Sequence, residues 1–381
     1  MIKLMHFIHG LSMGGAETLV KDYCLNTDRT RFDLVLLCLT RNSVPYEQIL
    51  ENAGIRVIYI SDQMSRISAC GITPLRKIGE KIMLFYYVRK IIREERPDVL
   101  HTHLPINYYA AAARPAKGTA IFHTVHSDPK KLWTNALWRK MDFKALVWLR
   151  KKYGLKFIVL HEEMRREVNR LFGIDDAVVV NNGVDFSRFE HLPSKAEIRR
   201  SIGIPEDAFL LGHVGRFSYM KNHKFLLDVF ALVKKKRPDA RLLLVGAGEL
   251  KDECEQKIQE LGLTEDVLIL SNRTDIPQLL TAMDLFVFPS TYEGLPVSMV
   301  EAQRAGLRCM MSDAVTDQVI ISNLVKPLSL GVGAEAWADE ILHAPETVPE
   351  YYAPERWDVK STVNELEALY LSEISEKSSG M

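Results

Sequence analysis

Cysteine is scarce in this 381-residue chain: Cys24, Cys38, Cys70, Cys254 and Cys309 are scattered, with no C-x-x-C pair. That excludes a disulfide scaffold or structural zinc site and suits a reducing cytoplasm. Long apolar runs are also missing. The opening residues 1–8 are too short for a signal peptide, and the longest uncharged segment, 99–113, falls short of the ~20 residues a membrane span needs. A soluble, cytoplasmic protein is expected. No Asp-x-Asp pair is present to bridge a metal and a diphosphate, and no nucleophile elbow, Cys–His dyad or G-x-G-x-x-G fingerprint is read from the chain. Net charge is absent as well, with 49 Lys and Arg against 49 Asp and Glu. Taken whole, that balance excludes a nucleic-acid or membrane-surface binder driven by bulk charge.

What is present is ordinary globular material, 47% apolar and 26% charged, long enough for two domains. Short apolar runs alternate with amphipathic ones, the pattern of βα units around parallel sheets. Strands are predicted at 2–8, 33–39, 55–60, 98–103, 119–125, 156–160 and 177–181, with helices near 16–26, 45–53, 74–94, 132–152 and 161–172. A second series has strands at 209–214, 241–246, 267–270, 284–288 and 308–312, and helices near 222–236, 249–261, 275–282 and 297–305. The expected fold is α/β, two Rossmann-like doubly wound domains facing a cleft, with ligands at the carboxyl ends of strands. The predicted domains are 1–185 and 186–353, followed over 354–381 by a helix packing back on the first domain and a polar tail.

Four motifs carry candidate chemistry. After the strand at 284–288 comes Pro289-Ser290-Thr291-Tyr292-Glu293-Gly294-Leu295-Pro296, then a helix holding Glu301. Free amides of Gly294, Leu295 and the first helical turn, with the helix dipole, make an anion site. Glu301 can accept two hydrogen bonds from a vicinal diol such as a ribose, and Glu293 can meet a sugar. Alone, each is more readily a solvated loop or helix-surface carboxylate, and it is the two together in this frame that favour a ligand site. Second, Gly215-Arg216 and Lys221-Asn222-His223 place two cations past a strand, suited to a diphosphate or to a plain capped turn. Third, Gly14-Gly15-Ala16-Glu17 lets a ligand approach the backbone closely, or makes a ligand-free tight turn; Gly246 and Gly248 read as packing glycines. Fourth, His101, His103, His123 and His126 lie at strand ends, share no helix face and suit zinc poorly. His126, just past its strand, is placed to touch a substrate.

On these residues the chain resembles the family 4 glycosyltransferases of the two-Rossmann (GT-B) fold, in particular bacterial capsule and exopolysaccharide members. The specific parts are the Glu293–Glu301 frame and Gly215-Arg216 with Lys221-Asn222-His223, supported by Asn182-Gly183-Val184-Asp185 and Asn272-Arg273-Thr274-Asp275. The resemblance implies a nucleotide-sugar donor, UDP by family habit, held by the C-terminal domain, and a saccharide acceptor, expected to be lipid-linked, on the N-terminal one. Arg216 and Lys221 would take the diphosphate, with Gly14 and Gly15 closing over it. Glu293, Gly294, Leu295 and Pro296 would hold the donor sugar, and Glu301, Asn272 and Arg273 the ribose and base. Glu293 and His126 would be catalytic, transfer would retain anomeric configuration, and neither metal nor cofactor would be needed. His161 and Arg308 stand where the family often has Ser and Pro, and His161 is expected to bear on the acceptor. A non-catalytic nucleotide-sugar sensor, a nucleotide-sugar epimerase and a carboxylate-pair glycoside hydrolase remain as alternatives.

The zero net charge is a sum of opposites, +9 over residues 1–190 and −9 over 191–381. Between 128 and 156 nine cations face two acids, with Trp133, Trp138 and Trp148 among them. A basic helix with interfacial aromatics suits the anionic inner leaflet, and a solvated helix with a core-facing aromatic stripe is the bland alternative. No nucleic-acid partner is expected.

Overall fold

Two all-parallel sheets organise the computed structural model, which describes residues 1–64, 73–133, 136–345 and 347–379. The first is built from β1 (Ile2–Gly10), β2 (Phe32–Thr40), β3 (Arg56–Tyr59), β4 (Val99–His103), β5 (Ala120–Thr124), β6 (Lys156–Val159) and β7 (Val178–Val179). Their order is β3-β2-β1-β4-β5-β6-β7. The second comprises β8 (Phe209–Val214), β9 (Ala240–Val245), β10 (Val267–Leu270), β11 (Leu285–Phe288), β12 (Arg308–Ser312) and β13 (Val325–Leu328), ordered β10-β9-β8-β11-β12-β13. Runs such as Leu34-Val35-Leu36-Leu37-Cys38-Leu39 are buried on both faces, as strands covered by helices on each side must be. In both sheets the order reverses beside the first strand, between β1 and β4 and between β8 and β11. Helix-free crevices open at such points beyond the carboxyl ends of the strands.

The chain divides into two units, Met1–Gly183 with the segment from Val359 onward, and Val184–Asp358. Leu4, Ile8, Phe32 and Phe122 share the first core with Val363, Leu366 and Tyr370 of the C-terminal helix. Phe230, Leu242, Leu285 and Trp337 lie in the second.

Several elements differ from the sequence reading. Strand β13 and the helices Asn107–Ala113 and Lys195–Ser201 were not predicted as such. The stretch read as one helix near 132–152 is two, Pro129–Leu132 and Leu137–Tyr153, with 134–135 outside the described residues. The last helix begins at Val359, because Pro354–Trp357 is a 3-10 turn capped by Ala353 at φ 46°. Cys24, Cys38, Cys254 and Cys309 are free and buried, and Cys70 lies outside the described residues.

Gly246 shows how the second sheet's rim is held. Its φ is 157°, and a Cβ there would stand 2.1 Å from the Gly215 carbonyl oxygen. Backbone cannot yield as a side chain can. The Gly246–Gly248 turn thus presses on the loop after β8, where Phe217 N–H donates to Ala247 O at 3.0 Å. We expect Gly246→Ala to cost about 1–3 kcal/mol, the usual penalty of overpacking. Urea denaturation measures it, and a loss under about 0.5 kcal/mol, the range of an ordinary surface change, would contradict this packing.

Candidate active site

In the second unit the order reversal brings together the loops that follow β8 and β11. The Thr291 amide donates to Met220 O at 2.8 Å and ties one loop to the other. Beside that tie, Lys221 Nζ lies 2.7 Å from Glu293 Oε1, with only 13% and 8% of the two side chains exposed. The ammonium also sits 4.5 Å from the centre of the Phe288 ring. A Cβ on residue 215 would come within 3.1 Å of Lys221 Cδ and Cε, so glycine there clears the lysine's path. Glu293 Oε1 makes no aligned hydrogen bond, despite the short ion-pair distance. A buried ion pair short of hydrogen bonds is poor value for stability, and such pairs concentrate at functional sites.

The floor beneath is polar and under-satisfied: Ser290 Oγ, His213 Nε2 and both His223 nitrogens are buried without hydrogen bonds. Burial, then the neighbouring His223, pushes His213 well below the usual imidazole range, and burial takes His223 down to about 3. Arg216 is exposed and reaches Glu249 at 3.1 Å. Gly294, Leu295 and Pro296 are buried, and Pro296 opens the helix Val297–Arg304 with no side-chain cap on its first amides. Glu301 in that helix is 3.9 Å from Arg188, whose guanidinium donates to Thr274 O at 2.7 Å. Arg188 therefore joins Glu301 to the loop carrying Asn272, which is exposed at φ 56°, and Arg273, which is engaged with Asp275. No local signal marks Arg188 in the sequence, and its contacts lie 86 and more residues away.

The first unit gathers the histidines. His6, His101 and His103, with ring nitrogens within 4.8 Å of one another, are all buried. Hydrogen bonds already account for them. His101 reaches Tyr370 Oη at 2.6 Å and Thr124 Oγ1 at 2.7 Å. His6 Nδ1 meets His103 Nε2 at 2.9 Å, and His103 Nδ1 meets His126 Nε2 at 3.1 Å. His123 faces the other way, 3.0 Å from Thr102 Oγ1. Burial takes His6 and His123 to about 3 and His126 to about 4, and holds His101 and His103 well below their ordinary range.

Gly14 precedes the helix Gly15–Asn26 with an extended φ of −98°. Gly15 has open space where a Cβ would stand, while a Cβ on Gly14 would strike the Glu17 carboxylate. The string Gly10-Leu11-Ser12-Met13-Gly14 does spell Gly-x-Ser-x-Gly, which the sequence reading passed over. It is no nucleophile elbow: Ser12 is absent from the positive-φ residues, and its hydroxyl is spent on Glu17 Oε1 at 2.7 Å.

Two family models divide the chain. That of the glycosyltransferase family 4 matches residues 13–188, and that of the glycosyl transferases group 1 matches 194–344. EpsF of Bacillus subtilis (strain 168), which carries a glycosyltransferase name, is 30% identical over 96% of this chain and 92% of its own length. The chain belongs to the family 4 (group 1) glycosyltransferases. A UDP-Gal:alpha-D-GlcNAc-diphosphoundecaprenol alpha-1,3-galactosyltransferase of Escherichia coli is 28% identical over 77% of this chain and 74% of its own length. The crystal structure of Anabaena HepE with UDP and glucose superposes with a TM-score of 0.71 over 100% of both chains at 20% identity. The fold of this glycosyltransferase is thus GT-B. Glu293 pairs with Lys221, the cation that the glycoside-hydrolase alternative leaves idle.

Both departures from the family's residues have local causes. His161, expected to bear on the acceptor, is buried, and its Nδ1 accepts from Met164 N–H as the N-cap of the helix Glu162–Phe172. That is the job a Ser does in the same place. Arg308 reaches the carbonyls of Ala344 and Pro345, anchoring the start of β12. The aromatic reading of 128–156 also needs correction. Trp133 is half-buried against Phe143 and Phe172, Trp148 is half-buried against Tyr153, and of the three only Trp138 is exposed.

The depressed imidazoles predict a pH dependence. A histidine whose folded pKa is lowered binds its proton more tightly when unfolded, so its stability is present above about pH 6.5 and lost towards 3–4. Asp142, raised to about 6 by burial, works in the opposite direction but is one carboxyl outnumbered by five depressed imidazoles in the same unit. The melting temperature of this glycosyltransferase should fall as the pH drops from about 7.5 to about 5. A flat or rising profile would refute the buried neutral cluster.

Proposed function

We propose that this glycosyltransferase is a retaining, metal-independent enzyme that moves a hexose-type sugar from a UDP-sugar to a lipid-linked saccharide acceptor in cell-surface polysaccharide synthesis. The observation that carries the reading is the buried Lys221–Glu293 pair at the reversal between β8 and β11, beside an uncapped helix start. Support comes from the Escherichia coli relative, whose name specifies a UDP-Gal donor and a diphosphoundecaprenol acceptor, and from HepE, crystallised with UDP and with UDP-glucose.

In this reading 1–185 is the acceptor-side domain and 186–353 binds the donor. Arg216 and Lys221 take the diphosphate, and Glu301, Asn272 and Arg273 take the ribose and base, with Arg188 steadying Glu301. Glu293 and the amides of Gly294, Leu295 and the turn after Pro296 hold the sugar. Gly14, Gly15 and His126 act on the same reaction from the first domain. Breaking the anomeric C–O bond leaves negative charge on the diphosphate, where a fixed ammonium and helix amides stabilise it most. That electrostatic role substitutes for a metal. Lys221 is charge-balanced by Glu293 while no diphosphate is bound, and an arriving phosphate oxygen competes for it.

Thermal shift with UDP and UDP-sugars tests the donor site, because a ligand that binds the fold raises its melting temperature. A rise that survives EDTA is expected, and no rise, or one that EDTA removes, would defeat the metal-free site. Glu293→Gln should lower kcat by about a hundredfold or more while UDP still binds, whereas unchanged transfer would remove Glu293 from the machinery.

Membrane contact is the second part of the proposal. Along the helix Leu137–Tyr153, Leu137 is 76% exposed, and Trp138, Met141 and Val147 are exposed with it. Lys140, Lys144 and Lys151 stand exposed among them. Among the described residues no helix is long and apolar enough to cross a membrane. A strip of this kind suits peripheral docking of a cytoplasmic enzyme on anionic lipid, about 1 kcal/mol per nearby cation. Flotation with phosphatidylglycerol-containing vesicles should carry the protein up, and the double variant Leu137→Ser, Trp138→Ser should stay down. Equal flotation with neutral vesicles would defeat the idea.

A further inference from the structure

The three linked imidazoles of the first unit belong to neighbouring strands and are set there by register. His6 on β1 pairs with His101 on β4, so residues 6, 101 and 103 share one face of the sheet. His126 lies two residues past the end of β5, the strand next to β4. The result is a chain, His6 Nδ1 to His103 Nε2 at 2.9 Å and His103 Nδ1 to His126 Nε2 at 3.1 Å. Its outer end, His126 Nδ1, is buried and has no hydrogen-bond partner. His101 does not branch from it, since Tyr370 and Thr124 occupy both its nitrogens. Among the described residues no carboxylate is hydrogen-bonded to any of the three rings.

A neutral imidazole has one N–H and one lone pair. If His6 Nδ1–H donates to His103, then His103 Nδ1–H must donate to His126 Nε2, and His126 carries its proton on Nδ1. If His126 Nε2–H donates inward, His103 is protonated on Nε2, His6 on Nε2, and His126 Nδ1 is left as a lone pair. Both hydrogen bonds are made only when all three rings have the same tautomer.

We propose that His103 and His6 are positioning residues that lock His126 into this shared tautomer, and so decide whether its Nδ1 donates to or accepts from a substrate hydroxyl. The proposal rests on the reading of His126 as a residue that meets substrate. Burial keeps all three rings in the neutral state that the arrangement requires.

Nitrogen-15 NMR of the full chain labelled at histidine, assigned through His6→Phe, His103→Gln and His126→Asn, reads each ring's protonation directly. At about pH 7.5 the three rings should be neutral and of one tautomer, and mixed tautomers or a doubly protonated ring would overturn the proposal. His103→Leu, with an unchanged melting curve and UDP affinity, should lose about tenfold or more in kcat. His103→Gln, whose amide offers a donor at one end and an acceptor at the other, should recover part of that loss. Wild-type kcat in a folded His103→Leu would overturn the positioning role. Full activity in His126→Asn would instead defeat the substrate-facing reading, while the NMR result on the wild-type chain stood or fell separately.

Discussion

Each parallel sheet of this protein is laid down outward from its first strand and turns back at that strand, and the candidate site in the second unit rests on that reversal. On one side of the turn the crossover helices cover one face, and on the other side they cover the opposite face, so neither covers the rim between. The loops after β8 and β11 meet at one such place and those after β1 and β4 at the other. No special segment was needed to build a site. The loops only had to carry the right side chains, and the glycine at 246 lets the turn after β9 come against the backbone of the loop after β8.

The same geometry sets the electrostatics. A rim loop rooted in a buried strand holds its first residues out of water, which is costly for a charge and far cheaper for a neutral ring. The two units resolve this differently. In the second, Lys221 and Glu293 meet as an ion pair, and removing one partner would strand the other at a cost of about 3–5 kcal/mol. In the first, the imidazoles give up their charge and link through single hydrogen bonds. An anion-binding rim needs standing charge. A rim of neutral rings offers directed donors and acceptors instead.

The sequence made legible what periodicity encodes. Twelve of the thirteen strands among the described residues were placed within a residue or two, because each centres on a short, largely apolar run, most of them well buried. Strand β13 was missed for a physical reason: Val325-Lys326-Pro327-Leu328 is an edge strand that exposes Lys326 and Pro327, so it has no apolar run to find. The helix Asn107–Ala113 was missed because its cap is not local. The Asn107 amide is held by Asp142, 35 residues away, in place of a neighbouring side chain. The donor-side motifs were legible as loops after strands, but the Lys221–Glu293 contact, 72 residues apart in sequence, was not. His6 was never a candidate: nothing in β1 marks one histidine among apolar neighbours until strand register places it beside His103.

Connectivity supplies the last constraint. The second unit is inserted into the first, since the chain leaves at Gly183 and returns at Val359. The two passages run side by side. The Val184 amide donates to Trp357 O at 2.7 Å, and a Cβ on Gly183 would strike Val359 Cα at 2.5 Å. On return, the C-terminal helix enters the first core: Glu367 accepts from the Asp28 amide, Lys377 reaches the carbonyls of Thr119 and Tyr153, and Tyr370 Oη holds His101 Nδ1. That last bond matters most for chemistry. With Thr124 on its other nitrogen, His101 is fixed as a spacer between two strands of the sheet and kept out of the His6–His103–His126 chain. Tyr370, which follows the second unit along the chain, thus isolates an imidazole chain that precedes it, and the first domain can be complete only after the second has been made.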